Sequence, residues 1–144
     1  MYSKIARDDS MIWVIDTSAL IRLFVPDGPL HAEIEAAFNR ASSGADVVLA
    51  PQLLLAEAGN VLLRKQRRSE LSAPELTELL QAIAALPIRL CEHGPLLLPA
   101  VTLAQTHKLT VYDALYLAAA ELNGARLITS DDALDKVARE MGVA

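Results

Sequence analysis

Four carboxylates stand where chemistry could use them: Asp16, Glu57, Asp113 and Asp131. Asp16 directly follows the apolar, β-branched run Met11–Ile15, and Asp131 follows Ala125–Thr129 by one residue. Glu57 lies inside Leu53–Leu63, a stretch that is otherwise almost wholly apolar, and Asp113 lies in the first turn of a helical segment that opens at Thr110. Singly, each has a plain explanation. Asp16 and Asp131 suit the caps of the helices that follow them, and Asp113 suits a capping box with Thr110. Glu57 sits either on a narrow solvent-facing stripe or in a place held for chemistry. Together they imply more. Four carboxylates in one pocket repel, each close pair at a cost of about 1–4 kcal/mol at a partly solvated site. A divalent cation relieves that repulsion. Carboxylates and water are the ligands that Mg²⁺ and Mn²⁺ prefer, and two such ions can activate a water and steady the leaving oxygen of a phosphodiester.

For the four to meet, the elements around them must alternate. Met11–Ile15, Val47–Ala50, Ile88–Cys91 and Ala125–Thr129 read as strands. Thr17–Phe24, Pro29–Ala41, Gln52–Arg68, Ser72–Leu86, Pro95–Thr106, Thr110–Leu122 and Asp132–Met141 read as helices, with Ser72 and Glu75 a capping-box pair. Gly142–Ala144 is a candidate fifth strand. This alternation gives an α/β chain with a parallel sheet of four to five strands covered on both faces, a three-layer α/β/α sandwich. Asp16 and Asp131 then share the carboxyl edge of the sheet, where such folds gather function. The helix after the second strand starts at that edge and brings Glu57 with it.

The 144 residues suit one domain, and 53% hydrophobic content supplies its core. Residues 1–10 read as a polar N-terminal extension and a candidate for disorder, residues 11–144 as the single domain. A formal charge of −5 argues against a coat for nucleic acid but not against a nuclease with a local basic patch. The lone Cys91 permits no internal disulfide and reads as a buried, inert thiol. With no run of signal-peptide or membrane-span length, the expectation is a soluble cytoplasmic protein.

The blocks Val14–Leu20, Ala56–Leu62, Val111–Ala118 and Leu127–Asp131 closely resemble PIN-domain proteins, above all the VapC toxins of toxin–antitoxin pairs. The resemblance runs from about Met11 to the end. It implies a Mg²⁺- or Mn²⁺-dependent endoribonuclease acting on RNA, a homodimer, and a cognate antitoxin that blocks the site. Asp16, Glu57, Asp113 and Asp131 match the family's acidic, metal-binding positions, and Thr17, Ser18, Asn60 and Thr129 its supporting polar positions. Asp132 falls one residue too late to be the acid of the last block.

The dense basic cluster Arg64–Arg68 suits a solvated helix end. Two members nevertheless return to the helical face of Glu57. Arg64 falls roughly 10 Å along the axis and Arg68 roughly 16 Å, at about 1.5 Å per residue, an offset that suits phosphates flanking the scissile one. The histidines read as surface residues (His31 and His107 on helices, His93 in a loop), and Tyr112 and Tyr116 as packing residues. An aspartyl-phosphate phosphatase would need a second Asp where Ser18 stands, and a receiver domain would need an Asp after the third strand, where Cys91 and Glu92 stand. The remaining alternatives are a PIN domain that processes RNA without being a toxin, and a non-catalytic binding module.

Overall fold

The computed structural model describes residues 10–26 and 28–144. The expected extension, residues 1–10, lies outside the described residues except for Ser10. Strands β1 (Ile12–Ile15), β2 (Val47–Pro51), β3 (Ile88–Cys91) and β4 (Arg126–Ile128) form one sheet in the order β3-β2-β1-β4. Every pairing is parallel. Val14 sits level with Leu49 of β2 on one side and Leu127 of β4 on the other. All four residues of β1 are buried, as expected for a central strand covered on both faces.

Helices α1 (Thr17–Phe24) and α2 (Ile34–Ser42) join β1 to β2, and α3 (Leu53–Arg67) and α4 (Ala73–Ala84) join β2 to β3. Helices α5 (Gly94–His107) and α6 (Val111–Asn123) carry the chain to β4, and α7 (Asp132–Glu140) follows it. The steps from β1 to β2 to β3 run one way across the sheet. Right-handed crossovers therefore put α1 to α4 on one face. The step from β3 to β4 runs back, which puts α5 and α6 on the other and completes an α/β/α sandwich. The direction reverses between β1 and β4, so a crevice opens outside their carboxyl ends. Helix α6 is buried from Ala114 through Ala120. Its run of alanines lets the backbone lie close against β1, β2 and β4.

Local signals set most boundaries. At α4 the capping box is complete: Ser72 N–H donates to Glu75 Oε1 (2.9 Å) and Glu75 N–H to Ser72 Oγ (3.2 Å). The second helix departs from expectation, beginning at Ile34 instead of Pro29. The intervening residues form a turn in which His31 Nδ1 accepts from the Glu33 N–H (3.2 Å), so His31 precedes the helix and does not ride on it. The fifth strand is also absent among the described residues. The Val143 carbonyl accepts one bond from the Leu127 N–H (2.6 Å), and residues 142–144 form no ladder. His93 sits at the start of α5, where its Nε2 accepts from the Leu53 N–H (3.0 Å) and caps the helix that bears Glu57.

Candidate functional site

The crevice at the carboxyl edge is a cavity of about 510 Å³, and Asp16, Glu57, Asp113 and Asp131 all line it. Asp16 comes from the end of β1, Glu57 from the second turn of α3, Asp113 from the first turn of α6 and Asp131 from the segment after β4. Capping bonds occur at three of these cavity residues. Asp16 caps α1 by accepting from the Ala19 N–H (3.0 Å), and Asp131 caps α7 by accepting from the Leu134 N–H (3.0 Å). At Asp113 only half of the capping box is seen, with Thr110 Oγ1 accepting from the Asp113 N–H (3.1 Å).

Hydroxyls knit the two strand ends together. Ser18 Oγ donates to Asp16 Oδ1 (2.8 Å), and Thr129 Oγ1 donates to Asp16 Oδ2. Ser18 Oγ in turn accepts from the Ser130 N–H (3.0 Å), and Thr129 Oγ1 from the Asp131 N–H (3.0 Å). Asp16 is thus engaged at both oxygens while only 5% exposed. Burial is the main force pushing its carboxyl up, to about 6, and the Asp131 charge adds to it. The bonds from Thr129, Ala19 and Ser18 pull the other way.

Glu57 is half-buried and held at one oxygen. Its Oε1 accepts from Tyr116 Oη (2.6 Å) and from Thr17 Oγ1 (2.9 Å). Burial pushes the Asp113 carboxyl up, and the charges of Asp131 and Glu57 push it further. The four acids therefore feel one another across the cavity.

Among the described residues, no three Asp, Glu, His or Cys side chains stand close enough to enclose one ion, so the four acids are not a single closed ligand set. Mg²⁺ does not require one. It keeps several waters and is usually bound through one or two carboxylates. The mutual repulsion and the oxygen-only donors fit hydrated Mg²⁺ or Mn²⁺, which Asp16, Glu57, Asp113 and Asp131 would hold in part through water.

The family model of the PIN domain matches residues 13–140. The chain belongs to the PIN-domain family. Ribonuclease VapC3 of Pyrobaculum aerophilum is 32% identical to it over 120 residues, covering 82% of this chain and 88% of the relative. The crystal structure of PAE2754, also from Pyrobaculum aerophilum, shares the fold with a TM-score of 0.67 at 22% identity, over 93% of this chain and 97% of that one. Mycobacterium tuberculosis VapC20, a toxin that cleaves the sarcin–ricin loop, does so with a TM-score of 0.60 at 18% identity, over 87% and 94%.

In this PIN domain the polar residues named from the sequence make distinct contacts. Thr17 holds Glu57, whereas Ser18 and Thr129 hold Asp16. Asn60 is exposed on the cavity wall. Arg64 also lines the cavity; Arg68, at the C-cap of α3, lies outside its wall. Asp132 begins α7 and does not line it either. Cys91 is half-buried, and burial pushes its thiol up, which suits an unreactive side chain.

Three residues escaped the sequence reading. Tyr116 packs in the core as expected, yet its hydroxyl reaches Glu57. Tyr112 is 61% exposed and is no packing residue. Arg22, in the last turn of α1, lines the cavity. The spacing of Tyr112 and Tyr116 around Asp113 is visible in the sequence, but not that the Tyr116 hydroxyl reaches Glu57 of α3.

Proposed function

We propose that residues 11–144 act as a single Mg²⁺- or Mn²⁺-dependent endoribonuclease domain, the toxin of a toxin–antitoxin pair. The observation that carries this reading is the convergence of Asp16, Glu57, Asp113 and Asp131, from four different elements, on one cavity that also presents an arginine. The relatives support the substrate: one is named a ribonuclease and another a toxin that cleaves an RNA loop.

In this reading the four acids are the catalytic, metal-holding set. When bound, the divalent ion supplies an activated water and offsets charge on the leaving oxygen. The chain's own groups do the positioning. Thr129, Ser18 and the Ala19 N–H fix both oxygens of Asp16, so that its ionised form stays oriented toward the cation. Tyr116 and Thr17 fix one oxygen of Glu57. Asn60 offers an amide at the wall. Arg64 grips a phosphate beside the scissile one, and Arg68, further along α3, one more distant.

Partners follow from the same reading: RNA as substrate, a cognate antitoxin that occludes the cavity, and a second copy in a homodimer. Leu97 and Leu98 of α5, 52% and 76% exposed, support a protein-binding face. No helix among the described residues is long and apolar enough to cross a membrane. A cytoplasmic location suits a chain whose lone cysteine forms no internal disulfide.

The test is hydrolysis of mixed-sequence RNA by purified protein with Mn²⁺ and with a chelator. Metal-dependent internal cleavage, lost in Asp16→Asn and in Asp131→Asn, is the expected result. RNA left intact by the metal-supplied protein, or cut equally well by both variants, would overturn the reading.

A further inference from the structure

Arg22 is a cation in an acidic cavity that pairs with none of its acids. It lines the same cavity as the four carboxylates, yet its one hydrogen bond among the described residues runs from Nη1 to the Pro29 carbonyl (3.4 Å). Gly28 and Pro29 lie against this guanidinium. A Cβ placed on Gly28 would stand 3.0 Å from Arg22 Cζ, 3.1 Å from Nε and 3.2 Å from Nη2, so a side chain there would push the guanidinium from this place by a few tenths of an ångström. Arg64 repeats the arrangement on α3. Helices α1 and α3 each set a carboxylate near their start, Asp16 at the N-cap and Glu57 in the second turn, and an arginine about two turns later, Arg22 and Arg64. Acids and guanidinium groups thus stay apart within one cavity.

We infer that Arg22, held beneath Gly28 and Pro29, is a second contact for the backbone phosphates of the RNA substrate, complementing Arg64. The inference rests on the nuclease reading above. An RNA strand brought to four carboxylates is repelled unless fixed cations receive its flanking phosphates. The planar fork of arginine, with most of its donors unspent, suits a phosphate better than a lysine would. The plainer role, a cation placed at the C-terminal end of α1 to complement the helix dipole, requires only charge. It accounts neither for the glycine over the guanidinium nor for the place in the cavity wall.

The experiment measures KM and kcat for a mixed-sequence single-stranded RNA oligonucleotide, at several salt concentrations, for wild type, Arg22→Ala, Arg22→Lys and Gly28→Ala. The rise in melting temperature with Mn²⁺ serves as a second readout. Arg22→Ala should raise KM about tenfold, as loss of a charge-assisted bond does. It should flatten the salt dependence of log kcat/KM by about 0.7, the share of one phosphate on a single strand. The Mn²⁺ response should not change. Arg22→Lys should recover only part of the affinity. Gly28→Ala keeps the charge but displaces the group, and should raise KM in the same direction.

Wild-type KM and salt slope in Arg22→Ala would overturn the inference, as would full rescue by lysine. If Arg22→Ala also loses its Mn²⁺ response, Gly28→Ala decides: a raised KM supports the contact, a wild-type KM overturns it. Failure of the wild-type protein to cut RNA would instead sink the underlying nuclease reading.

Discussion

The Tyr116 hydroxyl donates a 2.6 Å hydrogen bond to Oε1 of Glu57, joining a core residue of α6 to a cavity carboxylate of α3. Burial and the neighbouring Glu57 both push the phenol up, so the hydroxyl remains a protonated donor at neutral pH. Thr17 closes the triangle, its Oγ1 lying 3.1 Å from the Tyr116 oxygen and 2.9 Å from Glu57 Oε1.

Tyr116→Phe removes the donor and leaves the ring. A hydrogen bond to a charged group contributes about 1.5–3 kcal/mol, so kcat/KM should fall roughly tenfold or more as Glu57 loses its orientation. Steady-state kinetics at several Mn²⁺ concentrations checks this. The loss should shrink as the metal is raised if Glu57 acts through the cation.

Asp16→Asn should abolish cleavage and yet stabilise the metal-free protein above pH 6. The sign follows from a folded-state carboxyl pushed up from 3.8 to about 6. The native state holds this proton more tightly than the unfolded chain. That contribution is fully present below about pH 4 and is lost as pH rises through 6. At pH 8 an ionised Asp16 therefore burdens the fold by up to about 3 kcal/mol, at 1.36 kcal/mol per unit. Chemical denaturation in chelator should show the variant gaining on wild type as pH rises from 4 to 8.

Asp46 stands at the start of β2 and supports the fold. Its buried carboxylate accepts from the Met11 N–H (3.0 Å), Trp13 Nε1 (3.1 Å) and Arg40 Nε (2.9 Å). Burial alone would push its carboxyl up. The bonds from Arg40, Met11 and Trp13 outweigh that and leave it below the usual range, so its support is present at neutral pH and lost as pH falls. Asp46→Ala strands the buried Trp13 indole N–H and leaves the partly exposed Arg40 and Met11 donors to water, and should cost about 1–3 kcal/mol, with kcat per folded molecule unchanged. Trp13 is the only tryptophan, so its emission follows the unfolding directly.

Millimolar Mg²⁺ or Mn²⁺ should raise the melting temperature of the wild type. Saturation a hundredfold above the dissociation constant contributes about 2.7 kcal/mol. Scanning calorimetry should find the rise much reduced in Asp16→Asn and intact in Arg22→Ala.

Much of this was legible in the sequence because the acids sit at punctuation marks. Asp16 and Asp131 end apolar β-branched runs, and a parallel sheet sends such ends to one edge. Glu57 stood out as a charge inside an apolar run. What the sequence hid depends on tertiary approach. Tyr116 reads as core until its hydroxyl is seen to reach Glu57 of α3. Arg22 carries no signal in the sequence that places it on the cavity wall. Asp46, in the polar stretch Ser43–Asp46, reads as a loop acid until Trp13 and Arg40 close on it. The late start of α2 came from a side chain, His31 Nδ1, taking a backbone donor that the helix would have used.

Anomalous scattering from a crystal grown with Mn²⁺ reads directly whether these four carboxylates hold divalent cations in one cavity. The account predicts a manganese peak between Asp16, Glu57, Asp113 and Asp131, with at least one of their oxygens roughly 2.2 Å from it and water completing the shell. A well-ordered cavity without a peak at saturating Mn²⁺, or manganese bound only elsewhere on the molecule, would contradict it.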